Sequence, residues 1–388
     1  MSSIIENLQL AAQQVHLINL YQANSEVVYT GYIDRLAPDG VVVNTYDDAG
    51  LQDGAVFMRY DVIDEVEMMS EDLDNMAFRL ENAADEGLNS VPQPKLALDK
   101  QRPVLTQLVN QAQADQQVVL LVLERNENYL EGQVQQVTEQ TITFTTFDKF
   151  NFKNNVQQEI PLADVQILEF CGNELLLESA FVKTAHTHQA TVKVSETDTI
   201  DKTLTDAQAN HQLIAIRSAD GSDMFFVGFI NTLNADSVLL NLIDMTGQFG
   251  GYTLCRRSLI ESITTQSDYL QTMRGFIELN RQYELNVQPV LNDERLFDAT
   301  TDLFDAILRQ AATFNNLVHI TTENPMLPAM TGYPGTLTNG HFIFYNVDDD
   351  NQINHVGTMI ELDQVVELSF GYMDAYLLEK RLKSTGNL

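Results

Sequence analysis

The chain has 388 residues, which is too long for one ordinary hydrophobic core and predicts two to four domains. Its 55 acidic and 22 basic residues give a formal charge of −33 at pH 7, which argues against a sequence-independent nucleic-acid binder and against attraction to anionic membranes. With 44% hydrophobic and 20% charged residues, the composition is that of a folded chain and excludes general disorder.

The N-terminal segment and the two cysteines indicate where in the cell the protein is expected. The first twenty residues have no basic region and contain Glu6, and the longest apolar run, 118–123, is far too short to span a bilayer. Cys171 and Cys255 are the only two cysteines and lie far apart in sequence, so neither a disulfide framework nor a four-thiolate metal site is expected. These observations predict a cytoplasmic protein that does not associate with membranes.

The first 86 residues predict a helix, five strands and a second helix. A helix-like stretch at 4–14 is followed by a short strand at 15–20 and by a strand with a central glycine, VVYTGYI. Another strand follows within ten residues, then the strand-like runs AVFMRY and EVEMM, and last the amphipathic stretch SEDLDNMAFRLENAA. Alternating apolar residues indicate the strands, because a period of two turns one face inward.

This order of elements recurs along the chain, and each copy has a glycine inside its second strand. The four glycines are Gly31, Gly132, Gly228 and Gly332. Sixteen residues after each glycine stands an aspartate, namely Asp47, Asp148, Asp244 and Asp348. A glycine inside a strand indicates a sharp bend or a close backbone approach, and an aspartate after a strand closes a turn with its own backbone. Both sets of residues are therefore predicted to be structural.

The copies predict four domains, at 1–86, 102–183, 204–283 and 298–384. Proline-containing linkers lie near 87–101 and 284–297 and resemble each other, whereas the linker near 184–203 is rich in threonine. This difference favours two duplicated pairs of units. The fold class predicted is mainly β with helices: four tandem, strongly bent, five-stranded barrels, each flanked by helices.

A run of the type Gly-x-Ile-x-x-Leu-x-x-Asp-x-Val-x-Val resembles the first half of the Sm or Lsm motif. Two copies carry it: Gly31, Ile33, Leu36, Asp39, Val41 and Val43, and then Gly228, Ile230, Leu233, Asp236, Val238 and Leu240. The aspartate is replaced by Gln140 in copy two and by Gly340 in copy four. An SH3-like barrel is the main structural alternative, and the helix before each first strand favours the Sm-like one.

The resemblance implies an RNA-associated barrel in which strand four of one unit pairs with strand five of the next. It also implies that an acidic residue, an asparagine and an arginine hold RNA bases. The nearest matches are Asp39, Asn44, Arg59, Asp236, Asn241, Arg256 and Arg257. No glycine follows any of these arginines as the family pattern requires, and copies two and four lack the arginine. RNA binding is therefore possible, but the acidic charge disfavours it.

Other chemical signals are weak. His186 and His188 form a His-x-His pair without an evident third ligand, and the Asp348–Asn351 run lacks the central glycine of a calcium loop. No phosphate-binding glycine loop, nucleophile elbow or zincin helix is present in the sequence. We expect no enzyme activity, no cofactor and no metal.

The leading prediction is a non-enzymatic, acidic binding or scaffold protein. It would bind a protein partner or associate with itself through the strand edges of its barrels. One alternative is a divergent Sm-like RNA-binding protein. Another is an acidic mimic of DNA that inhibits a nucleic-acid-binding protein, which would need its carboxylates in phosphate-like rows on one face.

Overall fold

The structure is a computed structural model that describes residues 2–99, 101–124, 129–218, 225–324, 326–348 and 351–386. The chain divides into two units, Met1–His188 and Gln189–Leu388, which we call the first half and the second half. The division falls inside the threonine-rich linker. Within the described ranges, no helix is both long enough and apolar enough to cross a membrane.

The first half contains one antiparallel sheet of ten strands, with two repeats contributing five strands each. Its elements are α1 (Ser2–Gln14), β1 (Leu17–Gln22), β2 (Val28–Leu36), β3 (Val41–Tyr46), β4 (Gln52–Met58), β5 (Ile63–Glu67), α2 (Glu71–Asp85), α3 (Val104–Asp115), β6 (Val118–Leu123), β7 (Leu130–Val137), β8 (Thr141–Thr146), β9 (Gln157–Pro161), β10 (Val165–Phe170) and α4 (Asn173–Phe181). The strand order is β5-β1-β2-β3-β4-β10-β6-β7-β8-β9.

The second half repeats this plan with one additional short strand. Its elements are β11 (Val192–Val194), α5 (Thr197–Ala209), β12 (Ile214–Ser218), β13 (Phe226–Leu233), β14 (Ser237–Ile243), β15 (Phe249–Arg256), β16 (Ile260–Gln266), α6 (Asp268–Gln282), α7 (Leu303–Phe314), β17 (Val318–Thr322), β18 (Met330–Pro334), β19 (His341–Asn346), β20 (Thr358–Glu361), β21 (Val365–Phe370) and α8 (Met373–Thr385). The strand order is β11-β16-β12-β13-β14-β15-β21-β17-β18-β19-β20.

The prediction of four separate five-stranded Sm-like or SH3-like barrels is wrong. The strands form two large antiparallel sheets, because the fourth strand of one repeat pairs with the fifth strand of the next. In the first half β4 pairs with β10, with Phe57 opposite Leu168, and in the second half β15 pairs with β21, with Leu254 opposite Leu368. We call each of these two contacts a seam. The seams join the strands of two repeats into one sheet, so the repeats do not form independent small barrels.

At each repeat glycine, the backbone of the neighbouring strand leaves no room for a side chain. A Cβ atom would lie 1.9 Å from the carbonyl oxygen of Asn44 if added to Gly31, 2.1 Å from that of Thr145 at Gly132, 2.3 Å from that of Asn241 at Gly228 and 2.3 Å from that of Tyr345 at Gly332. Real Cβ atoms do not approach an oxygen so closely. Each glycine therefore permits the close antiparallel pairing of the second and third strands in its repeat.

The aspartates after the third strands close the following turns. Their Oδ1 atoms accept hydrogen bonds from backbone N–H groups two to four residues later: Asp47 from Ala49 and Leu51, Asp148 from Phe150 and Asn151, Asp244 from Thr246 and Gln248, and Asp348 from Gln352. Such bonds satisfy backbone donors that the sheet leaves unpaired at a strand end.

Helices cover the sheets with apolar faces. In the first half, Leu105 and Leu108 of α3 belong to the same buried cluster as Phe57 and Phe144 of the sheet. In the second half, Phe304 and Leu308 of α7 take the corresponding place. Each of these clusters contains residues from both repeats of its half, so the seam is also a hydrophobic core.

Candidate functional site

Two of the three arginines that the Sm resemblance suggested, Arg59 and Arg256, lie at the seams. Arg59 Nε donates to the carbonyl oxygen of Val165 at 2.6 Å, and its Nη2 donates to that of Leu162 at 2.9 Å. In the second half, Arg256 makes the same pair of bonds, to Val365 at 2.8 Å and to Leu362 at 3.0 Å. Each guanidinium thus bridges from the end of one repeat's fourth strand to the backbone of the next repeat.

The two aspartates and Arg257 also contact backbone or helical groups. Asp39 accepts hydrogen bonds from Val104 N at 2.7 Å and Leu105 N at 3.0 Å, so it caps the N-terminus of α3 in the following repeat. The carbonyl oxygen of Asp236 accepts from Arg257 N at 2.9 Å. The guanidinium of Arg257 donates to the Asn234 carbonyl and to the carboxylate of Asp201 on α5.

The two asparagines differ in their partners. Asn241 Nδ2 donates to the Asp293 carbonyl at 2.9 Å, and its Oδ1 accepts from Asn231 at 2.8 Å. Asn44 is buried, and its Oδ1 has no hydrogen-bond partner among the described residues. Within the described part of the chain, no side-chain hydrogen bond joins the aspartate, asparagine and arginine of one repeat to each other. RNA binding by these residues stays a prediction.

Two sequence motifs weakly suggested a metal site, His186–His188 and the acidic run after Asp348. The His186 ring stacks on Phe181 at 3.6 Å between centroids, and its Nε2 lies 2.7 Å from the carbonyl oxygen of Phe181. Positions 349 and 350 of the acidic run after Asp348 lie outside the described residues. Over the ranges that are described, no group of three or more His, Cys, Asp or Glu side chains could hold a metal ion.

Sequence reasoning missed an acidic pocket of about 220 Å³ in the first half. Strands from both repeats and the start of α4 form it, beside the seam. Four carboxylates line it: Asp53 on β4, Glu131 on β7, Glu169 on β10 and Glu174 on α4. None of its described lining residues is basic. We call it the acidic pocket.

Burial perturbs the carboxylate at the seam. Tyr29 donates its hydroxyl hydrogen to Glu169 Oε1 at 2.6 Å. Desolvation raises the pKa of Glu169 to about 7, although the bond from Tyr29 acts in the opposite direction. Burial also raises the pKa of Tyr29, which therefore stays protonated as a donor. Asp53 Oδ1 accepts from Asn173 N at 2.8 Å and so caps α4.

One buried lysine partly neutralises the pocket. Lys149, 6% exposed, lies 2.6 Å from Glu174 Oε1, 3.1 Å from Glu178 Oε1 and 3.3 Å from Glu131 Oε2. Burial alone would lower the pKa of Lys149, but these carboxylates raise it above its usual value, so the ammonium stays charged. Glu178 is 0% exposed and its Oε2 has no hydrogen-bond partner in the described structure. Desolvation and the nearby Glu131 raise the pKa of Glu178.

The second half does not keep the full set of these carboxylates. Counting from the repeat glycines and from Phe170 and Phe370, the positions of its carboxylates correspond in the second half to Thr331, Ser369 and Asp374 for Glu131, Glu169 and Glu174. There, Thr253 and Ser369 form a neutral hydroxyl pair at 2.7 Å across the seam. The one sequence signal was a glutamate inside an apolar stretch, in ILEF and again in LLLESAF.

The chain matches no protein-family model, and a search of curated proteins finds no significant match to its sequence.

Proposed function

We propose that the protein is a non-enzymatic binding protein whose acidic pocket receives a basic side chain, lysine or arginine, of a protein partner. The observation that carries the proposal is the excess of carboxylate in this pocket. Asp53, Glu131, Glu169 and Glu174 line it, no described lining residue is basic, and the nearby Lys149 is already bonded on several sides. A guanidinium or ammonium that entered would gain charge-assisted hydrogen bonds in a partly desolvated place.

The bulk charge supports the same partner chemistry. A formal charge of −33 attracts basic surfaces over long range and speeds their encounter with the protein. The pocket then gives the encounter a specific position. We place the protein in the cytoplasm, and the absence of a disulfide between its two cysteines, Cys171 and Cys255, agrees with a reducing compartment.

The test is affinity purification of the tagged full chain from its own cells at moderate salt. Proteins are identified by mass spectrometry, and nucleic acid by absorbance ratio and sequencing. The pocket variant is Glu131→Gln with Glu169→Gln, because glutamine keeps the oxygen that accepts from Tyr29. The control variant is Glu139→Gln with Glu159→Gln, which removes two carboxylates at exposed positions of the same half.

We expect a stoichiometric protein that is lost from the pocket variant and kept by the control. Loss from both variants would show that charge alone recruits the partner, and retention by both would remove the pocket from the interface. A defined RNA, lost when Arg59 and Arg256 are replaced, would favour the Sm-like alternative. A basic nucleic-acid enzyme as the partner would favour mimicry of DNA.

A further inference from the structure

A second pocket, of about 220 Å³, lies in the second half where the seam, the 284–297 linker, α7 and α8 meet. Its wall is largely apolar, and its floor is the seam pair Tyr252 and Phe370, whose rings stack with centroids 5.2 Å apart. Leu291 and Ile307 add aliphatic surface. We call this the aromatic pocket.

Arg295 gives the aromatic pocket a fixed positive charge. Its guanidinium carbon lies 5.1 Å from the ring centroid of Phe370, 5.2 Å from that of Phe297 and 5.7 Å from that of Tyr252. Its Nη2 donates to Gln310 Oε1 at 2.8 Å, and its backbone N–H donates to the Tyr252 hydroxyl at 3.1 Å. The aromatic faces and the Gln310 side chain hold the guanidinium in place.

This arginine has no carboxylate partner within ion-pair distance among the described residues. That is unexpected in a chain with 55 acidic and 22 basic residues, since a partly buried cation is normally paired. Desolvation lowers the pKa of Arg295, which agrees with the missing counter-charge. The pocket's own carboxylate, Glu379, is engaged elsewhere: Oε1 accepts from Leu317 N at 2.7 Å, and Oε2 lies 3.5 Å from Lys383 Nζ.

We propose that the aromatic pocket binds a small aromatic carboxylate. The carboxylate would accept hydrogen bonds from the free N–H groups of Arg295, and the ring would pack on the partly exposed lining residues Leu291, Tyr372 and Tyr376. The size agrees with one ring and one acid group, because an apolar cavity of about 150 Å³ already holds benzene. This site is independent of the acidic pocket, which lies in the other half and selects cations.

The test uses benzoate as the probe, with benzamide as its neutral isostere. Dissociation constants are measured by saturation-transfer NMR on the full chain in about 0.15 M salt, where the Debye length of about 8 Å screens remote carboxylates. The variant is Arg295→Gln. The matched control is Arg309→Gln on α7, whose exposed guanidinium pairs with Asp305 and does not line the pocket.

Benzoate is expected to bind wild type and the control equally, and to bind R295Q about tenfold more weakly, as befits the loss of a charge-assisted bond. Benzamide should bind wild type about tenfold more weakly than benzoate for the same reason. That comparison decides the matter even if R295Q fails to fold. Equal affinity for the two probes, unchanged affinity in R295Q, or no binding of benzoate at about 10 mM would overturn the assignment.

Discussion

Replacing the seam arginine of the first half should loosen the seam and leave the second half unchanged. The Arg59→Met variant keeps an aliphatic side chain of similar length and removes every side-chain hydrogen-bond donor. Two hydrogen bonds are lost, to the carbonyl oxygens of Val165 and Leu162 at 2.6 and 2.9 Å. These two residues are 0% and 7% exposed, so water replaces the lost donors poorly.

The expected cost follows from these contacts. A hydrogen bond to a charged group contributes about 1.5–3 kcal/mol, and a buried acceptor left unpaired costs about 1–3 kcal/mol. Because Arg59 is itself partly exposed, we expect the lower part of the combined range, about 2–4 kcal/mol for both bonds. The backbone bond from Arg59 N to the Gln166 carbonyl, at 3.1 Å, remains in the variant.

Native-state hydrogen exchange read by mass spectrometry is the suitable assay, because it resolves the opening free energy of individual strands. Peptides from β4 and β10 should lose about 2–4 kcal/mol of protection, whereas peptides from β15 and β21 should keep theirs. Arg256→Met should give the reverse pattern, and Arg102→Met, with a side chain 78% exposed, should change neither half. Protection of β4 and β10 within about 0.5 kcal/mol of wild type in R59M would refute the structural role.

Two further predictions concern the first half. Gly31→Ala should destabilise it by at least about 2 kcal/mol in urea unfolding, since the added Cβ would lie 1.9 Å from the Asn44 oxygen. Gly250→Ala, whose Cβ would meet nothing nearer than 3.3 Å, is the control, and equal costs would contradict the close-approach explanation. The second prediction is that Glu169, with its folded-state pKa raised to about 7 from 4.5, makes the free energy of unfolding fall as pH rises through that interval. Glu169→Gln should flatten this dependence between about pH 5 and about pH 8, and Glu159→Gln should leave it as in wild type; equal slopes would dismiss the buried carboxylate as its source.

The sequence predicted the elements better than their assembly. The first helix, expected at 4–14, spans Ser2–Gln14, and the first strand, expected at 15–20, spans Leu17–Gln22. Local periodicity suffices for these, because it reports which face of one element is buried. The pairing at the seam was expected only from the family resemblance, which implies that strand four of one unit pairs with strand five of the next. Local periodicity does not predict it, because Phe57 and Leu168 pair through backbone groups, which carry no residue-type signal.

The acidic pocket escaped prediction for a related reason. Its carboxylates are spread from Asp53 to Glu174, and single acidic residues in a chain with a net charge of −33 look like ordinary solvated charge. Only Glu169 and Glu178 stand within apolar stretches, and a buried glutamate needs a partner such as Lys149 that sequence spacing cannot identify.

The alternation of arginine between copies has a structural explanation. Arg59 and Arg256 each stand directly before the short 3₁₀ turn that follows a fourth strand, and Pro161 and Glu361 hold this place in copies two and four. The fourth strands with arginine, β4 and β15, pair with a following repeat, whereas β9 and β20 are the last strands of their sheets. The presence of arginine in copies one and three therefore coincides with the two seams, and RNA binding by these arginines stays a prediction.

The same alternation bears on which surface meets a partner. A proline or an acidic residue at the end of an outer strand discourages the addition of another strand. Pro161 on β9 and Glu361 on β20 thus make these two edges poor places for self-association, since they lack the arginine that secures both internal seams. The proposed recognition through the acidic pocket needs no open edge, whereas self-association through strand edges stays a prediction.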